Sequence, residues 1–490
     1  NAEQQLAVTS STGPVMVIAG AGSGKTRVLT YRIAYMLSQG VDPFNILALT
    51  FTNKAAREMK SRIMELVGTT EGRNVWMGTF HSIFARILRI EGHVLGYPSN
   101  FTIYDTDDSK SVIKAILKDL NLDPKQYPLN TVLSRISAAK SNLISAAEYN
   151  ANAELLSQDS AAQKPMIGEI YSYYDARCFR AGAMDFDDLL FKTNVLFRDW
   201  GEVLYKYQNK FKYVLVDEYQ DTNHAQYLIV KQLAARHENI CVVGDDAQSI
   251  YSFRGANIQN ILNFKRDYPD VQLFKLEQNY RSTQTIVNAA NSIISNNKDQ
   301  IFKEVWTEND EGNLIQVFKA TSETEEGNMV ANSIFELKMN QQQPNSAFAV
   351  LYRTNAQSRA IEESLRKLNI PYRIYGGLSF YKRAEIKDLL AYYRLVVNPS
   401  DDEAFKRIVN YPTRGIGKTT LEKIELAAGE NGISNHAVAL NAGKYLPSLP
   451  SGTIAKIEQF AVMIQSLNYK LHKLDAYNLA QQISISSGLM

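Results

Sequence analysis

The chain has 490 residues, 45% of them apolar, and 53 Lys and Arg against 51 Asp and Glu, a formal charge of +2. That length exceeds one core and predicts three or four domains of about 150 residues each, while the balanced charge excludes a polybasic protein, so any basic path must be local. No stretch reaches ~18 uninterrupted apolar residues and no basic-then-apolar leader opens the chain, which argues against a membrane span or signal peptide; Cys178 and Cys241 make no disulfide framework, and a cytoplasmic location is expected.

The first element is an apolar strand, Pro14 to Ile18, running into Ala19-Gly20-Ala21-Gly22-Ser23-Gly24-Lys25-Thr26 and then a helical pattern. Glycines let successive backbone N–H groups converge on a phosphate, and the following helix adds its positive N-terminal end. Lys25 is placed to reach β- and γ-phosphates, and the Thr26 hydroxyl to hold Mg²⁺. A bare Gly-rich turn is the alternative, and the position between strand and helix argues against it.

Strands and helices then alternate: Ile46 to Leu49 with a helix from Asn53 to about Val67, and Val75 to Met77 with a helix from His81. That rhythm predicts a parallel α/β sheet with ligands at the C-terminal ends of its strands. Strand signals vanish from Asp107 to about Met184, where amphipathic runs such as Ser109 to Leu120 predict a helical insertion. The sheet resumes with Tyr213 to Val216, Ile240 to Gly244 and Val271 to Leu276. After Ser282 a second α/β series is predicted, with strands over Leu314 to Ala320, Ala347 to Arg353 and Ile370 to Tyr375 and helices over Glu323 to Leu337 and from Gln357. From Ala384 to Met490 the pattern is helical.

Val214-Leu215-Val216-Asp217-Glu218 is an apolar strand ending in two acids, suited to place Asp217 on Mg²⁺ and Glu218 as general base toward water. Acids after strands are also common helix caps; the P-loop upstream favours the catalytic reading. Gln248, after the strand ending at Gly244, is suited to sense a γ-phosphate and orient water, although a loop-capping amide has the same spacing.

Ala19 to Thr26, Asp217-Glu218-Tyr-Gln-Asp-Thr222, Gly244 to Gly255, Leu276-Glu-Gln-Asn-Tyr-Arg-Ser282 and Ala349 to Ser358, in this order, resemble the UvrD/Rep/PcrA-type superfamily 1A DNA helicases. The resemblance runs the length of the chain. It implies two RecA-like parallel-sheet domains with helical insertions: 1A over residues 1–106 and 185–280, the insertion 1B over 107–184, an incomplete 2A over 281–383, and part of 2B over 384–490. It implies an ATP-dependent helicase moving 3′ to 5′ on single-stranded DNA, with ATP and Mg²⁺ as cofactors, single strands and single/double-strand junctions as substrates, and repair or replication proteins as partners. A helicase–nuclease fusion and a nucleic-acid-binding ATPase without unwinding are the alternatives.

By that resemblance Gln4 reads the adenine edge, Tyr280 stacks on the base and Arg281 touches the γ-phosphate, beside the loop residues Ala19 to Thr26 and the adjoining Arg27. The family's single-strand track falls here on Phe51, Thr52 and Asn53; Thr79 and His81; Phe186; Tyr251, Phe253 and Arg254; and Arg353 with Asn355. Phe253 stands where many relatives carry Trp, a smaller platform for a base. Arg414, Gly415, Gly417 and Lys418 form a Gly-x-Gly turn suited to a duplex phosphate. The family's Gly-Leu-Glu-Phe motif and its second γ-phosphate arginine do not occur before Met490, so a fragment with impaired ATP turnover is expected.

Overall fold

The computed structural model describes residues 1–297, 300–375, 381 and 383–489, apart from the side chain of Arg254. By internal contacts the chain divides into one unit of Asn1–Gly312 with Leu390–Met490 and another of Asn313–Leu389.

The first unit is built on β1 (Val15–Ala19), β2 (Ile46–Thr50), β3 (Trp76–Thr79), β4 (Thr102–Tyr104), β5 (Ala183–Asp185), β6 (Tyr213–Val216), β7 (Ile240–Gly244) and β8 (Gln272–Leu276). Six of these form one sheet in the order β3-β2-β6-β7-β1-β8, with every pairing parallel. β1, β2 and β7 are buried along their whole length, which is why they read as unbroken apolar runs: helices cover both faces of a parallel sheet. Alternate residues go to opposite faces. Val15, Val17 and Ala19 join Ile46, Ala48, Leu215 and Val243 in one core, while Met16 and Ile18 join Leu47, Leu49, Val214, Val216 and Val242 in the other.

Helices Lys25–Ser38, Asn53–Val67 and Phe80–Glu91 follow β1, β2 and β3. Thr52 and Thr79 cap the second and third, accepting from the N–H groups of Ala55 and Ser82, so the loop at each strand end is fixed to within a residue. The predicted insertion is helical from Thr106–Asp119 to Ile167–Arg180. It is bracketed by a two-stranded parallel pair, β4 with β5, that the sequence reading missed: three-residue strands carry too little periodicity to detect.

The helices of 390–490 surround Tyr392, Leu395, Phe405, Ile424 and Phe460. They meet the insertion through polar bonds. Arg394 bridges Asp108 at 2.9 Å and Asp401 at 3.0 Å, and Asn398 Nδ2 donates to the carbonyl of Ala181 at 3.0 Å.

In the second unit, helices Glu323–Gln341 and Ser358–Lys367 pack around Ala331, Ile361, Leu365 and Ile370. A Cβ on Gly327 would lie 2.6 Å from the carbonyl oxygen of Ala360, so this glycine sets their close approach. The strands predicted over 314–320, 347–353 and 370–375 are not strands here: none of these segments pairs. Leu314, Val317 and Leu351 are exposed. A strand is made by its partner's backbone, and apolar alternation shows only the capacity to pair.

Candidate functional site

The C-terminal ends of β1, β6, β7 and β8 converge at the point where the strand order reverses, which is where an open parallel sheet leaves a crevice. β1 delivers Gly20 to Gly24 and then the helix Lys25–Ser38. Gly22 and Gly24 have φ of 72° and 90°, conformations that a side chain would strain. Gly22 is also pinned by crowding, since a Cβ there would lie 2.6 Å from Asn279 Nδ2. The Ser23 hydroxyl donates to the carbonyl of Gly20, which closes the loop on itself.

Lys25 Nζ sits 3.3 Å from Glu218 Oε2. Glu218 has φ of 52°, unusual for a non-glycine residue, and strain of that kind concentrates at functional sites. Asp217 before it is buried, its N–H bonded to the carbonyl of Leu49. Burial and then the charge of Glu218 raise the Asp217 carboxyl to about 7, against the pull of Lys25. Asp221 is raised to about 6 by the same two causes. One ammonium thus faces three carboxyls, an imbalance that a divalent cation relieves. Among the described residues no group of three or more His, Cys, Asp or Glu makes a metal cage. Mg²⁺ commonly takes one or two protein ligands and completes its shell with phosphate and water, so Asp217 and Thr26 fit it.

The segment after β8 leans on the loop. Asn279 Nδ2 donates to the Ala21 carbonyl at 2.6 Å while its Oδ1 accepts from the N–H groups of Arg281 and Ser282. The Tyr280 N–H bonds the Gly22 carbonyl, and the Tyr280 ring is half exposed, its hydroxyl donating to Gln278. Gln4 Nε2 donates to the Ser23 carbonyl at 2.8 Å. Gln4, Tyr280 and Arg281 therefore lie around the glycine loop, with Gln4 bracing its backbone. Arg27 lies over the ring of Tyr31, one turn along the same helix. Asn279 is the residue that sequence reasoning missed; its buried position beside Tyr280 is visible only once β8 docks against β1.

The aromatic candidates fall in two groups. Phe51 after β2 lies 4.9 Å from Tyr251, and Tyr251 5.9 Å from Phe253, measured between ring centroids. His81 meets Phe186 edge-on at 5.8 Å. Phe186 and Phe253 are exposed, Phe253 by 76%. Burial lowers the His81 pKa, so its ring is neutral at physiological pH. Asn53 begins the helix that Thr52 caps. Gln248 Nε2 donates to Asp245 Oδ2 at 2.6 Å, at the root of the loop carrying Tyr251.

Residues 1–269 match the family described as UvrD/REP helicase N-terminal domain, and residues 274–444 match the UvrD-like helicase C-terminal domain. The chain belongs to the UvrD/REP helicase family. It is 45% identical over 489 residues to the ATP-dependent DNA helicase PcrA of Leuconostoc citreum, covering all of this chain and 64% of that protein. It is 51% identical over 435 residues to the PcrA of Bacillus subtilis (strain 168), covering 89% of this chain and 58% of the relative. With the Staphylococcus aureus (strain Mu50 / ATCC 700699) PcrA the identity is 46%, over all of this chain and 66% of the relative. The chain thus spans about two thirds or less of the length of these UvrD/REP relatives.

Two further groups of candidates remain. Arg353 and Asn355 are exposed residues of the 313–389 unit, where the N–H of Arg353 bonds Gln357 Oε1. Arg414 corrects an expectation. Rather than facing a phosphate, its guanidinium donates to the carbonyls of Ile408, Pro412 and Ser487 and to the Tyr392 hydroxyl, and lies over the Phe460 ring. With its donors bonded inside the helical core, Arg414 holds the turn together. Gly415, Gly417 and Lys418 remain exposed, Lys418 opening the helix Lys418–Asn431.

Proposed function

We propose that this protein binds ATP with Mg²⁺ at the Gly20–Thr26 loop and uses its hydrolysis to move 3′ to 5′ along single-stranded DNA, separating duplex at a junction. The observation that carries the reading is that the Lys25–Glu218 pair follows β1 and β6 while Phe51 and the Tyr251–Phe253 loop follow β2 and β7, so both groups lie at the C-terminal end of one parallel sheet. In this reading residues 1–106 and 185–280 form the first motor domain, 107–184 its helical insertion, 281–383 the start of the second motor domain, and 384–490 a helical domain whose Gly415–Lys418 turn meets duplex phosphate.

Lys25 and the loop N–H groups hold the phosphates, Arg281 adds a cation beside the loop, and Tyr280 supplies a face for the base. Bound Mg²⁺, held by Asp217 and Thr26, would neutralise phosphate charge. Glu218, released from Lys25 when phosphate takes that ammonium, accepts a proton from the attacking water that Gln248 orients. Bases of the single strand stack on the exposed rings, and Thr52, Asn53, Thr79, Arg254, Arg353 and Asn355 contact its backbone. The location is the cytoplasm of a bacterium, and the biological setting is DNA repair or replication restart.

Strand separation on duplexes carrying either a 3′ or a 5′ single-stranded tail tests the reading. Unwinding of the 3′-tailed substrate alone by the full-length protein, abolished by Lys25→Ala, is expected; preference for the 5′ tail contradicts the direction, and ATP turnover indifferent to DNA contradicts the motor.

A further inference from the structure

We infer that Gln220 is the positioning residue that carries the state of the nucleotide site to the DNA-facing loop. The inference rests on the proposed function.

Gln220 is 1% exposed, inside the short helical turn Tyr219–Asp221 that follows the two acids. Its Nε2 donates to Glu218 Oε2 at 2.9 Å, the same oxygen that Lys25 approaches. Its Oε1 accepts from the N–H of Asp245 at 3.0 Å. A primary amide has donors at one end and an acceptor at the other, and here one end reads the carboxylate at the phosphate loop while the other holds the first residue after β7. Asp245 in turn fixes Gln248 through Oδ2 and the N–H of Ala247 through Oδ1. Ser249 Oγ donates back to the Gln220 carbonyl, two residues before Tyr251. A continuous polar chain thus runs from Lys25 through Glu218, Gln220 and Asp245 to the root of the loop that bears Tyr251 and Phe253.

Two further features fit a coupling element better than a filler of core space. Gly244 ends β7, and a Cβ there would lie 2.6 Å from Gln220 Oε1 and 2.8 Å from Ile261 Cδ1; the strand is cut back to a glycine where the amide needs room. The Asp245–Asp246 corner is also anchored independently of Gln220. Lys303 Nζ bridges Asp245 at 3.0 Å and Asp246 at 2.6 Å, and the N–H of Ile301 bonds Asp246 Oδ2. The corner therefore stays folded without Gln220, and removing the amide breaks the link alone.

The physical sequence is short. The Glu218 carboxylate has two side-chain donors, Lys25 and Gln220. A phosphate that draws Lys25 away leaves Glu218 with Gln220 as its remaining side-chain donor of this pair. Any movement of that carboxylate then pulls the amide, and through its rigid plane the Asp245 N–H. Coupling of this kind is reciprocal: DNA on the aromatic loop must change nucleotide affinity by the same factor.

Fluorescence anisotropy of a labelled oligothymidylate, with and without a non-hydrolysable ATP analogue and Mg²⁺, reads the coupling as a ratio of two Kd values. In the unmodified protein the ratio is expected to be about fivefold or larger, the lower end of ordinary allosteric coupling. In Gln220→Met, which keeps the volume and removes the amide's hydrogen bonds to Glu218, Asp221 and Asp245, it collapses to within about twofold of unity, while nucleotide and DNA affinities measured separately stay within about twofold of the unmodified protein's. Gln220→Glu, which retains an acceptor but sets a carboxylate against Glu218, is expected to uncouple likewise. Undiminished coupling in Gln220→Met overturns the inference, as does loss of either separate affinity in both variants, which would make Gln220 part of a binding site or of the fold. Binding of both ligands by the unmodified protein without coupling overturns it too and leaves the functional reading standing. Failure of the unmodified protein to bind either ligand overturns that reading itself.

Discussion

Lys25 and Glu218 face each other at 3.3 Å, so the carboxylate orients the lysine. Replacing it with Ala leaves Asp217, Glu218 and Asp221 without their nearby cation, and ATP affinity measured by fluorescent-analogue titration is expected to fall at least tenfold, about 1.4 kcal/mol, as befits a hydrogen bond to a charged group. At the other end of the site, Phe253 is the most exposed ring of its row. Base stacking on an aromatic contributes roughly 1 to 3 kcal/mol by alanine substitution, so Phe253→Ala is expected to weaken single-strand binding by that amount with the melting temperature unchanged. Unchanged affinity removes Phe253 from the track. Gly22→Ala tests the loop itself: at φ 72° a side chain costs roughly 1 to 2 kcal/mol, and the added Cβ would press on the Asn279 amide that ties the loop to β8. Loss of nucleotide binding with little change in single-strand affinity is the expected outcome.

Among the elements, the helix Phe186–Asp199 shows how a buried charge network places an exposed ring. Asp185 caps it, and Lys140, 1% exposed by side chain, lies 2.8 Å from both Asp185 and Asp188, with the Tyr174 hydroxyl also on Asp185. Removing one partner of a buried pair costs about 3 to 5 kcal/mol, so Lys140→Met should lower denaturant stability by that order and loosen Phe186 with it. Asp402 gives the pH counterpart. Burial raises its carboxyl to about 6, against the N–H of Asn435 and the charges of Lys406 and Arg180. A folded pKa above the unfolded value means that ionisation favours the unfolded chain, so the penalty is absent below about pH 4 and complete above about pH 6. Asp402→Asn, which keeps the acceptor for Asn435, should therefore gain stability over the parent as pH rises through that window, by on the order of 3 kcal/mol for the two-unit shift. A stability difference independent of pH contradicts the assignment.

How far these elements were legible depends on what defines each. The strands β1, β2 and β7 announce themselves because burial on both faces demands unbroken apolar runs, and the helices after β2 and β3 each start at a Thr cap, Asn53–Val67 matching the reading of the sequence. The segments 314–320, 347–353 and 370–375 carry the same apolar signal, yet pairing depends on a neighbour that composition does not reveal. Arg414 failed for a related reason, since a Gly-x-Gly turn fixes the backbone but leaves open whether the arginine faces solvent or the core. Asn279 was invisible because its role is to cross from β8 to the loop after β1, 258 residues earlier.

For the whole molecule, the arrangement places a glycine-rich loop, an acid pair with Glu218 at positive φ and a row of aromatic rings at the C-terminal end of one parallel sheet, in a chain of the UvrD/REP helicase family. Each part has a local explanation in glycine geometry, burial or capping. Their common location follows from the parallel sheet, which turns the loops after β1, β2, β6 and β7 to one end. No helix among the described residues is long and apolar enough to cross a membrane. The most direct measurement is steady-state ATP turnover with and without single-stranded DNA, alongside Lys25→Ala as the blank. The account predicts turnover raised several-fold by DNA and absent in the variant; turnover that DNA does not change, or that survives loss of Lys25, contradicts it.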